Sequence, residues 1–305
     1  MNPSIPSFNN LLRLQPPWLP SLLFVPCLYA MGWLTAQLLT PFGLSESNVS
    51  PLGTLFSFLM FMALLPRWSR VRWTSKHPWR TLGISGGGRD GRPRMTVVLF
   101  QGLIWALILL TVIVLPILVG AWGNWLGECS LQKLLNGILL IIGVGFAEEL
   151  IFRGWLLEEL RTLFGTKWGI LGQAIVFSLV HTRFNLGVIP MLSLLVGLFL
   201  LGLLLAERRR QDQGSLWGCI GLHGGLVGGW FLLEAGLLQL SPTTPAWLVG
   251  PGGLQPNPLG SVVAITALLV ILFTSKNKGW PIGIGTASHL PSKNPDLTQS
   301  VELSE

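Results

Sequence analysis

The chain has 305 residues, half of them hydrophobic and only 11% charged, with a mean hydropathy of +0.60. That balance excludes an ordinary soluble domain and a disordered chain, and apolar runs of about twenty residues exclude a β-barrel, whose strands alternate over about ten. The fold class is therefore all-α, a polytopic membrane protein of about eight transmembrane helices.

The predicted spans cover residues 18–40, 51–66, 96–119, 132–157, 168–184, 187–206, 216–239 and 259–275. Seven is the fallback count, because the second span is short and the fifth carries polar residues. The first span lacks a charged n-region followed by a small-residue cleavage site, so it reads as retained. Three regions result: an N-terminal transmembrane region at 1–130 with about three helices and a basic cytoplasmic loop at 67–94; a core at 131–275; and a cytoplasmic tail at 276–305, whose Pro, Ser, Lys and Asn content predicts disorder.

Lys and Arg placement tests the span count independently of hydropathy. With both termini cytoplasmic, all of the 20 basic residues except Lys133, Arg153 and Arg183 fall on inside segments, as the positive-inside rule requires of an even count. The same bias accounts for the net charge of +7, so the expected surface partner is the lipid bilayer and no nucleic acid is implied. Gly86-Gly87-Gly88-Arg89-Asp90-Gly91 spells a G-x-G-x-x-G string. No strand precedes it, however, and Pro93 comes soon after, so it reads as a linker. Cys27 and Cys219 fall in predicted spans and Cys129 in a loop, which gives no disulfide framework. The 14 tryptophans, several near span ends, read as interfacial anchors.

Within the fourth span, Ala147-Glu148-Glu149-Leu150-Ile151-Phe152-Arg153-Gly154 places three charges in an apolar run. Each costs roughly 2.5–3.5 kcal/mol at bilayer depth on insertion scales, which marks the segment as functional by default. His181 and His223 lie in later apolar runs. Helical rise puts Glu148 about 18 Å, His181 about 20 Å and His223 about 10 Å from the basic side. The three are thus expected to meet in an intramembrane polar active site, reached more easily from that side. Glu148 and Glu149 point about 100° apart. Glu149 and Arg153, at i and i+4, can pair, which leaves Glu148 for the other helices.

A carboxylate with two imidazoles suits hydrolysis: Glu148 takes a proton from a water held by His181, the water attacks an amide carbonyl, and His223 stabilises the oxyanion. The same residues would instead ligate a divalent metal such as zinc, with Glu149 as base. The blander alternative is structural, since single Glu or His residues in spans commonly bond neighbouring helices, and an acidic pair with a matched Arg can be a buried ion pair.

The segment Glu148-Glu149-Leu150-Ile151-Phe152-Arg153 resembles the E-E-x-x-x-R motif of the CPBP family of intramembrane proteases, which includes the type II CAAX prenyl endopeptidases and is also called the ABI domain. Phe177-Ser178-Leu179-Val180-His181 is similar to its F-x-x-x-H motif, and Gly214-Ser215-Leu216-Trp217 with Gly221-Leu222-His223 to its third region. The resemblance covers about residues 134–240. It implies a glutamate-type intramembrane endopeptidase in which Glu148, His181 and His223 are catalytic, Glu149, Arg153 and Phe177 support them, and no cofactor is needed. Many members carry Asn four residues after the second His, where this chain has Val227; Asn185, four after His181, is a candidate to donate in its place. The implied partners are a peptide or membrane-protein substrate, and the implied location is a bacterial inner or internal membrane. The alternatives are a non-catalytic family member acting as a scaffold or immunity-type protein and, opposed by the lack of internal repeats, a transporter.

Overall fold

The computed structural model describes residues 8–86, 93–253 and 255–278. The glycine string after Gly86 and the tail beyond 278 lie outside the described residues. Helices α1 (Leu19–Gln37) and α2 (Glu46–Arg72) pack on each other. They are followed by α3 (Met95–Val119), a long helical run α4 (Leu131–Leu179), α5 (Val188–Gln211), α6 (Trp217–Leu237) and α7 (Val262–Lys278). Strands β1 (Gly123–Trp125) and β2 (Leu238–Leu240) pair antiparallel, with Gly123 opposite Leu240.

Six of these helices are long and apolar enough to cross a membrane, and the apolar stretch Val262–Ser275 of α7 is shorter. The eight expected spans differ from this at two places. The fourth and fifth are the two arms of α4, 131–164 and 166–179, parted at Gly165, whose φ 81° and ψ 169° are open to glycine because it has no Cβ; the connection is shorter than the expected loop. The second expected span grows to 27 residues because Pro51 and Pro66 both lie inside α2; in apolar surroundings the remaining backbone groups have no better partners than their own helix. The eighth is shorter than a full crossing.

The basic loop also contracts. Arg67, Arg70 and Arg72 belong to α2, and Arg80 to a short helix, Pro78–Thr81. Arg208 and Arg209, which the sequence puts on an inside segment, are buried. Arg208 Nε donates to Asp212 at 2.6 Å, while Arg209 donates to the Thr81 carbonyl at 2.9 Å, to Glu158 at 2.9 Å and to the Arg153 carbonyl. Their charge fastens turns to the core at one end of the helices.

Helix α6 lies at the centre, packed on α3 and on the first arm of α4. Small residues make this contact possible. A Cβ on Gly145 would lie 2.8 Å from the Gly224 Cα, and one on Gly224 would overlap the Ile141 carbonyl, so the two backbones touch as membrane helices with small-residue interfaces do. One apolar core joins α3, α5, α6 and α7. A second joins the α1–α2 pair to Leu150, Trp155 and Ile220, with Phe24 packed 4.3 Å from Trp68 and 5.5 Å from Trp155 between ring centroids.

Candidate active site

The polar motif sits on an unusual stretch of α4. Ser130 caps the start by accepting from the Lys133 backbone N–H at 3.3 Å. Two π-helical segments, Leu140–Val144 and Leu150–Leu156, then flank a short α-helical stretch, Gly145–Glu149. A π-turn holds an extra residue and rotates the facing of the residues beyond it, a device common at functional sites. Glu148 and Glu149, adjacent on the α-helical stretch between the two, point about 100° apart and meet different neighbours.

Glu149 points into the core and is fully buried. Its Oε1 accepts from Arg153 Nη1 at 2.9 Å and from His223 Nδ1 at 2.7 Å. The Arg153 guanidinium, also fully buried, lies 4.1 Å from the centre of the Phe177 ring, which adds a cation–π contact to the pair. Phe177 therefore serves as a platform, with the His181 and His223 rings 4.8 and 5.5 Å from it.

Glu148 faces the other way. Its Oε2 lies 3.5 Å from His181 Nε2 and 3.8 Å from His223 Nε2. The tautomers follow from the second nitrogen of each ring. His181 Nδ1 is 2.7 Å from the Phe177 carbonyl and His223 Nδ1 is bonded to the Glu149 carboxylate. Both partners only accept, so each Nδ1 carries a proton and each ring turns its Nε2 toward Glu148. The two Nε2 atoms and one carboxylate oxygen thus converge, and the buried Glu148 Oε2 has no hydrogen-bond partner among the described residues. Such a set is satisfied by something that brings protons or positive charge, water being the simplest. Among the described residues no group of three His, Cys, Asp or Glu side chains is arranged to hold a metal ion.

Asn185 is placed elsewhere. The helix ends at Leu179, and Asn185 sits in a 3-10 turn, Phe184–Leu186, exposed and without a side-chain hydrogen bond among the described residues. The i,i+4 relation to His181 that made it a candidate donor is absent because the helix does not continue. Val227 lies one turn beyond His223 and lines a cavity of about 600 Å³. That cavity starts at His223 and runs along α6 to Glu234 and Ala235, with Arg183 at its rim. It leads away from the buried Arg208 and Arg209, whereas access was expected from the basic side; helical depth carries no information about which helices splay. The site elements that sequence reasoning missed are the bond from His223 to Glu149, the Phe177 platform beneath Arg153 and the acidic rim at Glu234. A glycine every three or four positions along α6, at 218, 221, 224 and 228, was the available signal that this helix packs deeply.

Comparison with known families gives two matches. Residues 130–228 match the family described as Type II CAAX prenyl endopeptidase Rce1-like, and residues 4–77 match a domain of unknown function, DUF8676. No curated protein matches the chain.

Proposed function

From the premise that residues 130–228 form a domain of the Rce1-like family, the CPBP family that the motifs resemble, we propose that the chain is an intramembrane endopeptidase that uses a Glu148-activated water and two histidines. The observation carrying this reading is the convergence of Glu148 Oε2 with the Nε2 atoms of His181 and His223, 3.5 and 3.8 Å away; with both rings neutral the three are acceptors. A water placed against it gives one proton to Glu148 and one hydrogen bond to His181, and its remaining lone pairs point outward as the nucleophile. The Phe177 carbonyl holds His181 in the tautomer that accepts.

In this mechanism His223 acts with Glu149 behind it. His223 Nε2 takes from Glu148 the proton removed from the water, and the carboxylate on Nδ1 stabilises the imidazolium so formed, as the acid of a hydrolytic triad does. The charged ring then donates from Nε2 to the oxyanion of the tetrahedral intermediate or to the departing amine. Arg153 holds Glu149 aimed at His223. Val227 supplies no donor, which leaves oxyanion stabilisation to His223. The membrane spans are read with both termini on the cytoplasmic side, following the basic residues.

The test is cleavage of a quenched-fluorescence peptide library by the purified protein, beside Glu148→Gln and His181→Ala and with a strong chelator added. Loss of at least a thousandfold in Glu148→Gln, at least a hundredfold in His181→Ala and indifference to chelator is expected. Inert wild-type protein that purifies folded would favour a scaffold role, and chelator-sensitive cleavage would reinstate the metal reading.

A further inference from the structure

Behind Glu148 and its two imidazoles, a second group of polar atoms is sealed into the core. Arg153, Glu149 and Gln173 are all fully buried. Arg153 Nε and Nη2, Glu149 Oε2 and Gln173 Oε1 have no hydrogen-bond partner among the described residues. Buried polar atoms are nearly always bonded, so each orphan calls for a specific explanation. The two nitrogens are donors and the two oxygens acceptors.

Gln173 belongs to the second arm of α4, where that arm lies against α5: a Cβ on Gly202 would be 2.9 Å from the Ala174 Cα. Its Nε2 donates to the Gly202 carbonyl at 3.0 Å and to the Ile170 carbonyl at 3.2 Å. Both partners only accept, which fixes the amide with its oxygen turned away from them. Gln173 stands one turn before Phe177 on the same face. Helical side chains lean toward the N-terminus, so the Phe177 ring lies back over the turn that Gln173 begins. The Arg153 guanidinium is 4.1 Å from the centre of that ring, and the helical register thus brings the Gln173 amide alongside it.

The orphaned N–H groups of Arg153 share one edge of its planar fork. Nη1 is the nitrogen that bonds Glu149, at 2.9 Å, while the Nε and Nη2 N–H groups run parallel toward one point. No hydrogen bond joins them to Gln173 directly, so whatever sits at that point must accept from nitrogen and donate to oxygen. A water molecule does both.

We propose that one buried water sits at this edge, accepting from Arg153 Nε and Nη2 and donating to Gln173 Oε1, and that through it Gln173 is a positioning residue for the Glu149–His223 pair. Its second proton is free for Glu149 Oε2. The positioning role, unlike the water, rests on the proteolytic reading. Without an acceptor at the edge, the guanidinium would turn its fork onto both oxygens of Glu149, the arrangement in which arginine holds a carboxylate best. Oε1 would then be drawn from His223 Nδ1, 2.7 Å away, and the imidazolium formed on that ring would lose its anion.

The experiment is X-ray radiolytic hydroxyl labelling of the full chain in lipid nanodiscs, which modifies a buried side chain where a water is held against it, read at Arg153 by mass spectrometry. Gln173→Met keeps the length of the side chain and removes its oxygen. Gln211→Met is the control, because that amide also ties two helices, donating from the end of α5 to the Ser275 carbonyl of α7 at 3.1 Å. Arg153 is expected to be labelled in the wild type and in Gln211→Met, and at least fivefold more slowly in Gln173→Met. In peptide cleavage, Gln173→Met is expected to lower kcat at least tenfold with KM within twofold, and Gln211→Met to leave both unchanged. Arg153 unlabelled in the wild type, or labelled equally in Gln173→Met, would overturn the water. An unchanged kcat in Gln173→Met, or an equal fall in the control, would overturn the positioning role. Folded wild-type protein that shows the labelling pattern and cleaves nothing removes the proteolytic reading and leaves the water site standing. Where Gln173→Met does not purify as a folded species, Gln173→Leu carries the same measurements.

Discussion

Glu149 and Glu148 are chemically identical neighbours with opposite surroundings. Glu149 is sealed between Arg153 and His223, while Glu148 faces the Nε2 atoms of two imidazoles and has about a quarter of its side chain exposed. The proposed mechanism therefore separates their mutant phenotypes. Glu148→Gln removes the base and leaves the packing alone. Glu149→Gln removes the anion that supports the charged form of His223 and leaves Arg153 buried without its partner. Loss of the corresponding acid in a hydrolytic triad costs about 10⁴ in turnover, and a broken buried pair costs about 3–5 kcal/mol. Glu149→Gln is accordingly expected to lose both activity and thermal stability, read by peptide cleavage and by the unfolding midpoint in detergent, whereas Glu148→Gln loses activity alone. Equal stability of the two variants would count against the buried ion pair.

At the scale of elements, the site depends on how closely α6 approaches the polar stretch of α4. His223 reaches Glu149 because Gly224 lets the α6 backbone lie against Ile141 and Gly145. Gly224→Ala introduces a methyl group where the Ile141 carbonyl already is, so the helices must separate. Overpacking of this kind costs about 1–3 kcal/mol, and a displacement of about 1 Å in a reacting centre costs about a hundredfold in rate. Gly224→Ala is expected to lower cleavage about a hundredfold with a modest fall in the unfolding midpoint. Gly143→Ala, on the same arm of α4 with open space at its Cβ, is the control expected to change little.

For the whole molecule, the decisive contact is the one that ties the N-terminal region to the core. Glu159 is fully buried near the end of the first arm of α4. It accepts from Ser21 at 2.6 Å, from the indoles of Trp68 and Trp73 at 3.0 and 2.8 Å, and from Arg72. All four donors lie within the region that matches the domain of unknown function, and Glu159 within the Rce1-like match. The α1–α2 pair is thus fastened to the same helix that carries Glu148. Glu159→Ala would strand Arg72 and two indoles, at a cost of about 3–5 kcal/mol for the broken pair. The expected readout is earlier proteolytic nicking near residue 74 and a lower unfolding midpoint, with cleavage chemistry reduced less than in Glu149→Gln.

Much of this protein was legible along the chain. Apolar runs marked helices because a bilayer leaves no other way to satisfy the backbone, and Glu148, Glu149, Arg153, Phe177, His181 and His223 stood out because polar groups at such depth are costly and because the motifs around them resemble a known family. The pairing of Glu149 with Arg153 followed from helical spacing alone. Other features depended on neighbours distant in sequence. The turn between the fourth and fifth expected spans is made by a single backbone conformation at Gly165. The burial of Arg208 and Arg209, counted from sequence among the inside charges, was decided by acceptors at Thr81, Arg153, Glu158 and Asp212. Asn185 lost its expected place because a helix stopped six residues before it. The sequence by itself determined which residues must be sheltered from lipid, since the transfer cost is local to each side chain. Tertiary structure alone decided which carboxylate meets which imidazole, and at which end the cavity opens, since both depend on the angles at which separate helices pack.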